Sequence, residues 1–513
     1  AVFEKWKTTD TAALQSNLQK NEELKAVLLQ QTPWVVEARN EAQQKKNIAL
    51  LFDLQRMQRE QKSALDQLAA KQLPNGAFPW FTGMQEDRFI TQYIVAGIGH
   101  LQQLGVAGNA AAQHIAASAM NYLDTELDKD YYRLVKTKAN LGEQQISSLQ
   151  IHYLYARSLF NRPVPAAMRT SFDFFNAQMR QYWTKPNRYA QAMMALCLFR
   201  NGDRVTPAAI LKSLKEHAMN SPEMGMYWKD VTAGYSWQQA PVETQALLIE
   251  AFQVAGKDAE AVADMKTWLL KNKQTNNWGT TKATADACYA MLLTGSNWLS
   301  ASPEVSIQLG STAVKPAAAE AGTGYFRETV NAGAITPRMG NISVTVRNSQ
   351  GQPSWGAVYW QYFEELGNIT SAQTPLVLEK ELFKEVNSDK GPVLTKITEG
   401  NELRVGDKVK VRIVLRANRP MEYIHLKDMR AACFEPTNVI SASKWQDGLS
   451  YYESTRDAST DFFFSSLPKG THVFEYTLFV THQGKFSNGI STAQCMYAPE
   501  FSAHGSGLNV EVK

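Results

Sequence analysis

The sequence predicts a multidomain chain, α first and then β: an α/α toroid of paired helices followed by antiparallel β-sandwich domains. Three observations predict it. A helix–turn–helix phrase recurs in the first three hundred residues. The composition changes near Ser302-Pro303. Short alternating segments between turn signals fill the remainder.

The phrase is plainest in Leu73-Pro74-Asn75-Gly76-Ala77-Phe78-Pro79-Trp80-Phe81-Thr82-Gly83, which precedes a helical run carrying Thr91, Tyr93 and Ile94. A second copy is Lys273-Gln274-Thr275-Asn276-Asn277-Trp278-Gly279-Thr280-Thr281, and a looser one runs from Met224-Gly225-Met226-Tyr227-Trp228 through Tyr235-Ser236-Trp237 to Pro241. Each copy ends a helix, turns on glycine, displays aromatics and starts a helix at Thr or Ser. A unit of roughly 45–50 residues that repeats this way builds an array of helix pairs.

Residues 1–300 read as helical throughout. Ile48, Leu51, Leu54, Met57 and Leu65 recur at helix spacing. Thr206-Pro207 and Ala240-Pro241-Val242-Glu243 look like helix starts, and Gly76, Gly105, Gly202 and Gly256 look like helix ends. About a dozen helices follow, enough for six pairs closed into a ring. Residues 303–374 form a second region, with strands at Val305–Leu309, Ile342–Val346 and Val358–Tyr362, a turn at Asn348-Ser349-Gln350-Gly351, and an Ala/Gly-rich loop over Val314 to Gly324. Residues 375–513 form the third, with strands at Lys408–Leu415, Tyr423–Lys427, Asp461–Ser465, His472–Thr481 and Ile490–Tyr497, read as an antiparallel sandwich.

The 513 residues carry 53 Lys plus Arg against 49 Asp plus Glu, with no basic run, so no nucleic-acid footprint is expected. No apolar run reaches the ~18–20 residues of a membrane span. The start, Ala1-Val2-Phe3-Glu4-Lys5-Trp6, reads like the interior of a helical segment, which leads us to expect a piece of a longer protein. The four cysteines, Cys197, Cys288, Cys433 and Cys495, form no C-x-x-C pair. Cys197 and Cys288 read as small buried hydrophobes; Cys433 and Cys495 read as two buried thiols, with a disulfide across the sheet as the alternative.

The aromatics beside the repeat turns, Phe78, Trp80, Phe81, Trp228, Tyr235, Trp237 and Trp278, are candidates for binding a sugar or peptide at one face of the ring. Against this stands core packing, the commoner fate of regularly spaced aromatics. Glu86, Asp87, Asp230, Glu243 and Asp286 lie near the same turns, where a carboxylate gains from the helix dipole without doing chemistry. His100 and His152 lack companions at metal-ligand spacing and read as core histidines; no metal and no cofactor is expected. No G-x-S-x-G, Walker or Rossmann pattern is present.

Asn75-Gly76-Ala77-Phe78-Pro79-Trp80-Phe81-Thr82-Gly83, the helix Ile94–Leu101 and Asn277-Trp278-Gly279-Thr280-Thr281 together resemble the thioester-domain toroid of alpha-2-macroglobulins. Asp428-Met429-Arg430, Phe434-Glu435-Pro436, the run Tyr451–Asp457, Leu467-Pro468-Lys469-Gly470-Thr471, Val473-Phe474-Glu475-Tyr476 and the run Gln494–Phe501 resemble the last macroglobulin-type domain of the bacterial branch. The resemblance implies the non-enzymatic C-terminal portion of a protease trap of the cell envelope, periplasmic or anchored at the outer membrane. Its partners would be proteases, met through the full-length parent, and N-terminal macroglobulin domains outside this chain. Cleavage of a bait segment triggers enclosure of the protease, and in many members a C-x-E-Q thioester then couples to it.

This chain carries no such thioester motif. Leu141-Gly142-Glu143-Gln144 copies it with Leu in place of Cys, and it falls after the first Gly-aromatic repeat, whereas the family's motif falls before it. We therefore expect the thioester segment upstream of Ala1, or a branch without one. The resemblance also makes residues 303–374 the second half of a split CUB-like domain. The rival reading is an α/α-toroid polysaccharide lyase or glycoside hydrolase with an accessory β-sandwich, which needs two carboxylates from different repeats ~5–10 Å apart.

Overall fold

The computed structural model describes residues 54–105, 110–234, 240–293, 304–315, 326–347, 356, 358–360, 362–389, 391–398, 403–446 and 448–513. The chain divides into two compact units, one of residues 47–271 and 278–354, the other chiefly of residues 355–513.

Among the described residues the first unit holds ten α-helices: α1 (Leu54–Lys71), α2 (Arg88–Gln103), α3 (Ala110–Lys136), α4 (Ser148–Ser158), α5 (Arg169–Tyr182), α6 (Arg188–Arg200), α7 (Val205–Glu216), α8 (Pro241–Ala251), α9 (Ala259–Thr275) and α10 (Thr281–Leu292). The even-numbered helices are the inner ones. α2, α4, α6, α8 and α10 pack in succession, and His100 of α2 stacks on Tyr289 of α10 with ring centroids 4.0 Å apart, which closes the circuit. Burial follows: nearly every residue from Tyr189 to Leu198 in α6 and from Glu243 to Ala251 in α8 is buried.

Most inner helices start on a polar cap, because their first N–H groups need acceptors. Asp87 accepts from Ile90 N at 2.8 Å, Ser147 and Gln150 form a capping box, Asn187 accepts from Ala190 N at 3.0 Å, and Thr280 accepts from Ala283 N at 3.0 Å. The expected Thr or Ser start thus holds for α4 and α10, while α2 uses Asp87 and α8 uses Pro241. Thr206-Pro207 does not open α7; its first turn, from Val205, is capped by Asp203, which accepts from Val205 N at 2.9 Å and Thr206 N at 3.1 Å.

The repeat turns press their glycines onto the following outer helix. A Cβ on Gly76 (φ +88°) would lie 2.3 Å from the Ser118 carbonyl oxygen of α3. On Gly225 (φ +69°) it would lie 2.1 Å from that of Asp264 in α9. Only glycine satisfies both the left-handed backbone and that approach. These turns carry two-stranded ribbons, β1 (Phe78–Pro79) with β2 (Glu86–Asp87), and β3 (Met219–Ser221) with β4 (Gly225–Tyr227).

A three-stranded antiparallel sheet follows, β6-β5-β7, from β5 (Glu304–Leu309), β6 (Thr312–Val314) and β7 (Ile342–Arg347). Its register places Val305 opposite Val346, Ile307 opposite Val344 and Val314, and Leu309 opposite Ile342 and Thr312, so one face is apolar but for Thr312. Residues 358–360 and 362 form no strand despite their alternating pattern and stand exposed. β-Propensity is only half of a strand, and a ladder partner is the other half. Most of the Val314–Gly324 loop and the 348–351 turn lie outside the described residues.

The second unit is an antiparallel sandwich. One sheet has the order β12-β16-β10-β8-β9: β12 (Phe434–Pro436), β16 (Gly470–Val480), β10 (Lys408–Ala417), β8 (Leu376–Ser388) and β9 (Gly391–Lys396). The other has the order β13-β14-β15-β11-β18-β19: β13 (Ala442–Gln446), β14 (Leu449–Thr455), β15 (Ser459–Leu467), β11 (Met421–Met429), β18 (Ser491–Cys495) and β19 (Ser502–His504). β17 (Gly484–Ser487) pairs with β20 (Asn509–Val512). On β10, Val409, Val411, Ile413 and Leu415 point inward, while Lys408, Lys410, Arg412 and Arg416 point outward and pair with Glu385, Glu475 and Glu379 on neighbouring strands.

One charged pair crosses the core. Lys380 of β8 and Asp428 of β11 are both buried, 2.7 Å apart. Lys380 Nζ also donates to the Met429 carbonyl at 2.6 Å, Ser491 Oγ donates to Asp428 at 2.6 Å, and the Tyr476 hydroxyl donates to its second oxygen. Both carboxylate oxygens of Asp428 thus have at least one donor, the condition under which a buried ion pair is tolerated.

Candidate functional site

Polar side chains gather inside the helical circuit, in two layers. Contacts near the starts of the inner helices make the first: Phe89 (α2) against His152 (α4), and Lys282 (α10) over the rings of Tyr93 (α2) and Tyr189 (α6) at 5.7 and 5.4 Å. Contacts nearer their ends make the second: His100, Tyr155, Arg200, Glu250 and Tyr289, one from each inner helix. α2 meets α4 and α10 both early and late along its length, so these inner helices run parallel and residues at equal depth share a layer.

In the first layer Lys282 Nζ lies 2.8 Å from Asp286 and 4.0 Å from Glu243 of α8. Burial and the Asp286 charge push the Tyr93 hydroxyl up to about 12. Burial raises Tyr189 well above the ordinary range and pulls His152 down to about 3, so His152 is neutral. In the second layer Arg200 donates to Glu250 at 2.6 Å, and the Tyr155 hydroxyl donates to the other carboxylate oxygen at 2.6 Å. With that proton committed, Tyr155 Oη accepts from His100 Nε2 at 2.7 Å. Burial lowers His100, which therefore carries one proton, on Nε2.

The aromatics proposed as a surface divide. Phe78 and Trp228 are buried in the core, a correction to their reading as binding residues: Phe78 N donates to Thr91 Oγ1 at 2.9 Å, and Trp228 Nε1 donates to the Leu214 carbonyl at 2.9 Å. Each follows its turn glycine closely and fills the gap between inner and outer helices. Trp278 is half-buried against the same core. Trp80 and Phe81 are displayed, 53% and 72% exposed. Tyr235 and Trp237 lie outside the described residues. Trp80 is the outermost of three nearly parallel rings that lead inward through Phe89 to Tyr93, with centroid spacings of 6.3 and 6.5 Å.

Leu141-Gly142-Glu143-Gln144 forms an exposed turn between α3 and α4. Asn140 Oδ1 accepts from Gly142 N at 3.1 Å, Gln178 donates to the carbonyls of Leu141 and Glu143, and the Tyr182 hydroxyl donates to that of Gly142. The turn is held by α5 through its backbone. All four cysteines are free: Cys433 and Cys495 are buried thiols rather than a disulfide, and burial raises both to about 11. Cys288 is exposed, contrary to the apolar helical setting expected for it; it occupies a face of α10 that no described helix covers.

Reading the sequence missed the inner layers and a set of glutamine latches. Gln92 of α2 donates to the Leu149 carbonyl at 3.1 Å, and Gln245 of α8 donates to the carbonyls of Met226 and Met265 at 2.8 and 3.2 Å. The signal was present: Thr91-Gln92 and Thr244-Gln245 recur in the first turns of α2 and α8.

Residues 376–500 match the family model of the bacterial alpha-2-macroglobulin MG10 domain. No curated protein sequence matches the chain. Among solved structures it is similar to a Salmonella alpha-2-macroglobulin mutant at 15% identity and a TM-score of 0.32, covering 86% of this chain and 27% of that one. For Escherichia coli alpha-2-macroglobulin activated by porcine elastase the identity is 13%, the TM-score 0.37 and the coverage 92% and 39%. For the native Escherichia coli protein from domain MG7 to the C-terminus they are 13%, 0.30, 100% and 75%. The chain thus spans about a quarter of the length of the first of these relatives. Of these findings the family match is the specific one: residues 376–500 are similar to the bacterial alpha-2-macroglobulin MG10 domain.

Proposed function

We propose that this chain is the C-terminal portion of a bacterial alpha-2-macroglobulin-like protease trap of the cell envelope, and that it acts without catalysing a reaction. The observation that carries the reading is the MG10 domain at residues 376–500 following a closed circuit of paired helices. In this reading the ring shields and docks, the MG10 sandwich joins it to the rest of the parent, and residues 303–374 are half of a split domain. The exposed apolar face of Val305, Ile342, Val344 and Val346 supports that last point, since three strands with an uncovered apolar face are an incomplete core. The parent, incubated with elastase or trypsin, is expected to be cut once and to leave the protease active on small peptides but shielded from large inhibitors. A cut parent that leaves the protease fully open to a protein inhibitor overturns the reading.

One observation favours the enzymatic rival. Glu243 and Asp286 come from different repeats and both approach Lys282 Nζ, so they lie no more than about 7 Å apart, inside the range of glycosidase pairs. Lys282 occupies the space between them that a scissile bond would need. Release of reducing sugar from envelope polysaccharide, abolished in Glu243→Gln, would establish that rival.

A further inference from the structure

The buried pair in the sandwich is placed to react as well as to attract. Lys380 of β8 and Asp428 of β11 come from opposite sheets, with side chains 2% and 0% exposed and Nζ 2.7 Å from Oδ1. A C–O bond is about 1.2 Å, so Nζ lies within about 4 Å of Cγ. A second cation is near. The register sets Thr460 opposite Asp428, and Thr460 Oγ1 accepts from the Arg430 guanidinium at 3.1 Å. Arg430 is itself buried. One carboxylate thus shares a dry core with two cations, and burial disfavours every charge there. Arginine does not give up its proton in proteins, whereas lysine does. Transfer of the shared proton from Nζ to Oδ1 across their contact leaves a neutral amine facing a carboxylic acid. Lys384 and Asp407 are as close, at 2.6 Å, but their side chains are 28% and 21% exposed, so water solvates both charges.

We propose that Lys380 and Asp428 condense to an intramolecular amide that covalently joins the two sheets. Nζ attacks Cγ; the N–C bond forms and the Cγ–Oδ1 bond breaks. Oδ1 leaves as water with the carboxyl proton and one proton from Nζ, and nothing is oxidised or reduced. The surrounding hydrogen bonds suit each stage. The Tyr476 hydroxyl, kept protonated by burial and the Asp428 charge, donates to Oδ2, where negative charge develops. Ser491 Oγ, 2.6 Å from Oδ1, is placed to relay the Nζ proton to the leaving oxygen. The Met429 carbonyl, 2.6 Å from Nζ, accepts the amide N–H that remains.

An amide hydrolyses in water in part because the released amine and acid ionise and are hydrated, and a dry core offers neither. The fold supplies proximity, for which oriented intramolecular reactions show effective molarities of about 10⁵–10⁸ M. The ion pair is the state of the newly folded chain, and the amide is its product. The bond closes the chain between β8 and β11 as a disulfide would, in a protein whose four cysteines are all free. The inference is independent of whether the parent traps proteases.

Intact-mass measurement of the full chain, incubated folded and then denatured, tests it. The wild type is expected to be one water lighter than its sequence. Tryptic mapping should give a branched peptide that joins Lys380 to Asp428. Lys380→Arg keeps an ion pair without the nucleophile and is expected at full mass. Lys384→Arg is expected to lose water as the wild type does, and Tyr476→Phe to leave a larger fraction at full mass. The thermal transition of the sandwich shows that each variant is folded. Folded wild type that stays at full sequence mass after prolonged incubation overturns the inference, as does a water loss that persists in Lys380→Arg.

Discussion

The helical ring and the C-terminal sandwich both bury charge, and they do so in opposite ways. In the sandwich Lys380 and Asp428 sit where two sheets meet face to face, with Met429, Ser491 and Tyr476 completing their hydrogen bonds. In the ring the polar groups project from parallel helices into the interior, where Arg200 and Tyr155 satisfy Glu250 while Glu243 has an ion pair with Lys282 at 4.0 Å. A dry layer between sheets tolerates charge only as a closed network.

This contrast can be broken at several points. The largest effect is expected at Asp428→Ala, which strands the Lys380 ammonium in the sandwich core and should cost about 3–5 kcal/mol. Chemical denaturation should show the sandwich transition moving while the helical one stays, and Lys380→Met with Asp428→Leu should recover most of the loss. A uniform shift of both transitions would mean that the two units do not unfold separately.

Acid should act on the ring. His152 is neutral when folded, with its pKa pulled from 6.5 down to about 3 by burial, while the unfolded chain takes up its proton near 6.5. The unfolded state therefore binds more protons between these values, so His152 favours folding fully above pH 6.5 and its contribution falls away toward pH 3, by up to about 5 kcal/mol. The helical signal followed against pH should show this slope, and His152→Gln should flatten it.

Gly225→Ala tests the repeat turn. The backbone is left-handed and the new methyl would press on the Asp264 carbonyl, so a loss of about 1–3 kcal/mol is expected in the helical transition. At the small end, Trp80→Ala and Phe81→Ala should change stability by less than about 0.5 kcal/mol each, because both side chains are displayed. A larger loss would place them under tertiary load that their exposure does not show.

Much of the architecture was legible in the sequence. Glycine–aromatic turns followed by capped helices announced the repeat, since a left-handed turn and an unsatisfied helix start each demand particular residue types. Strict alternation gave β10 almost to its ends, because one buried and one wet face leave a period of two. Alternation alone failed at residues 358–360 and 362, which pair with no strand among the described residues.

What the sequence by itself determined is the periodic part: where helices turn, where strands alternate, and that Leu141 cannot act as a thiol. Tertiary structure alone decided which aromatic after each glycine is buried and which is displayed. It also decided that Cys288 faces outward, and that one residue from each of five helices forms the layer around Glu250. Those outcomes depend on contacts between positions 40 to 190 residues apart, such as Arg200 with Glu250 or His100 with Tyr289, and no local pattern encodes a distance of that kind.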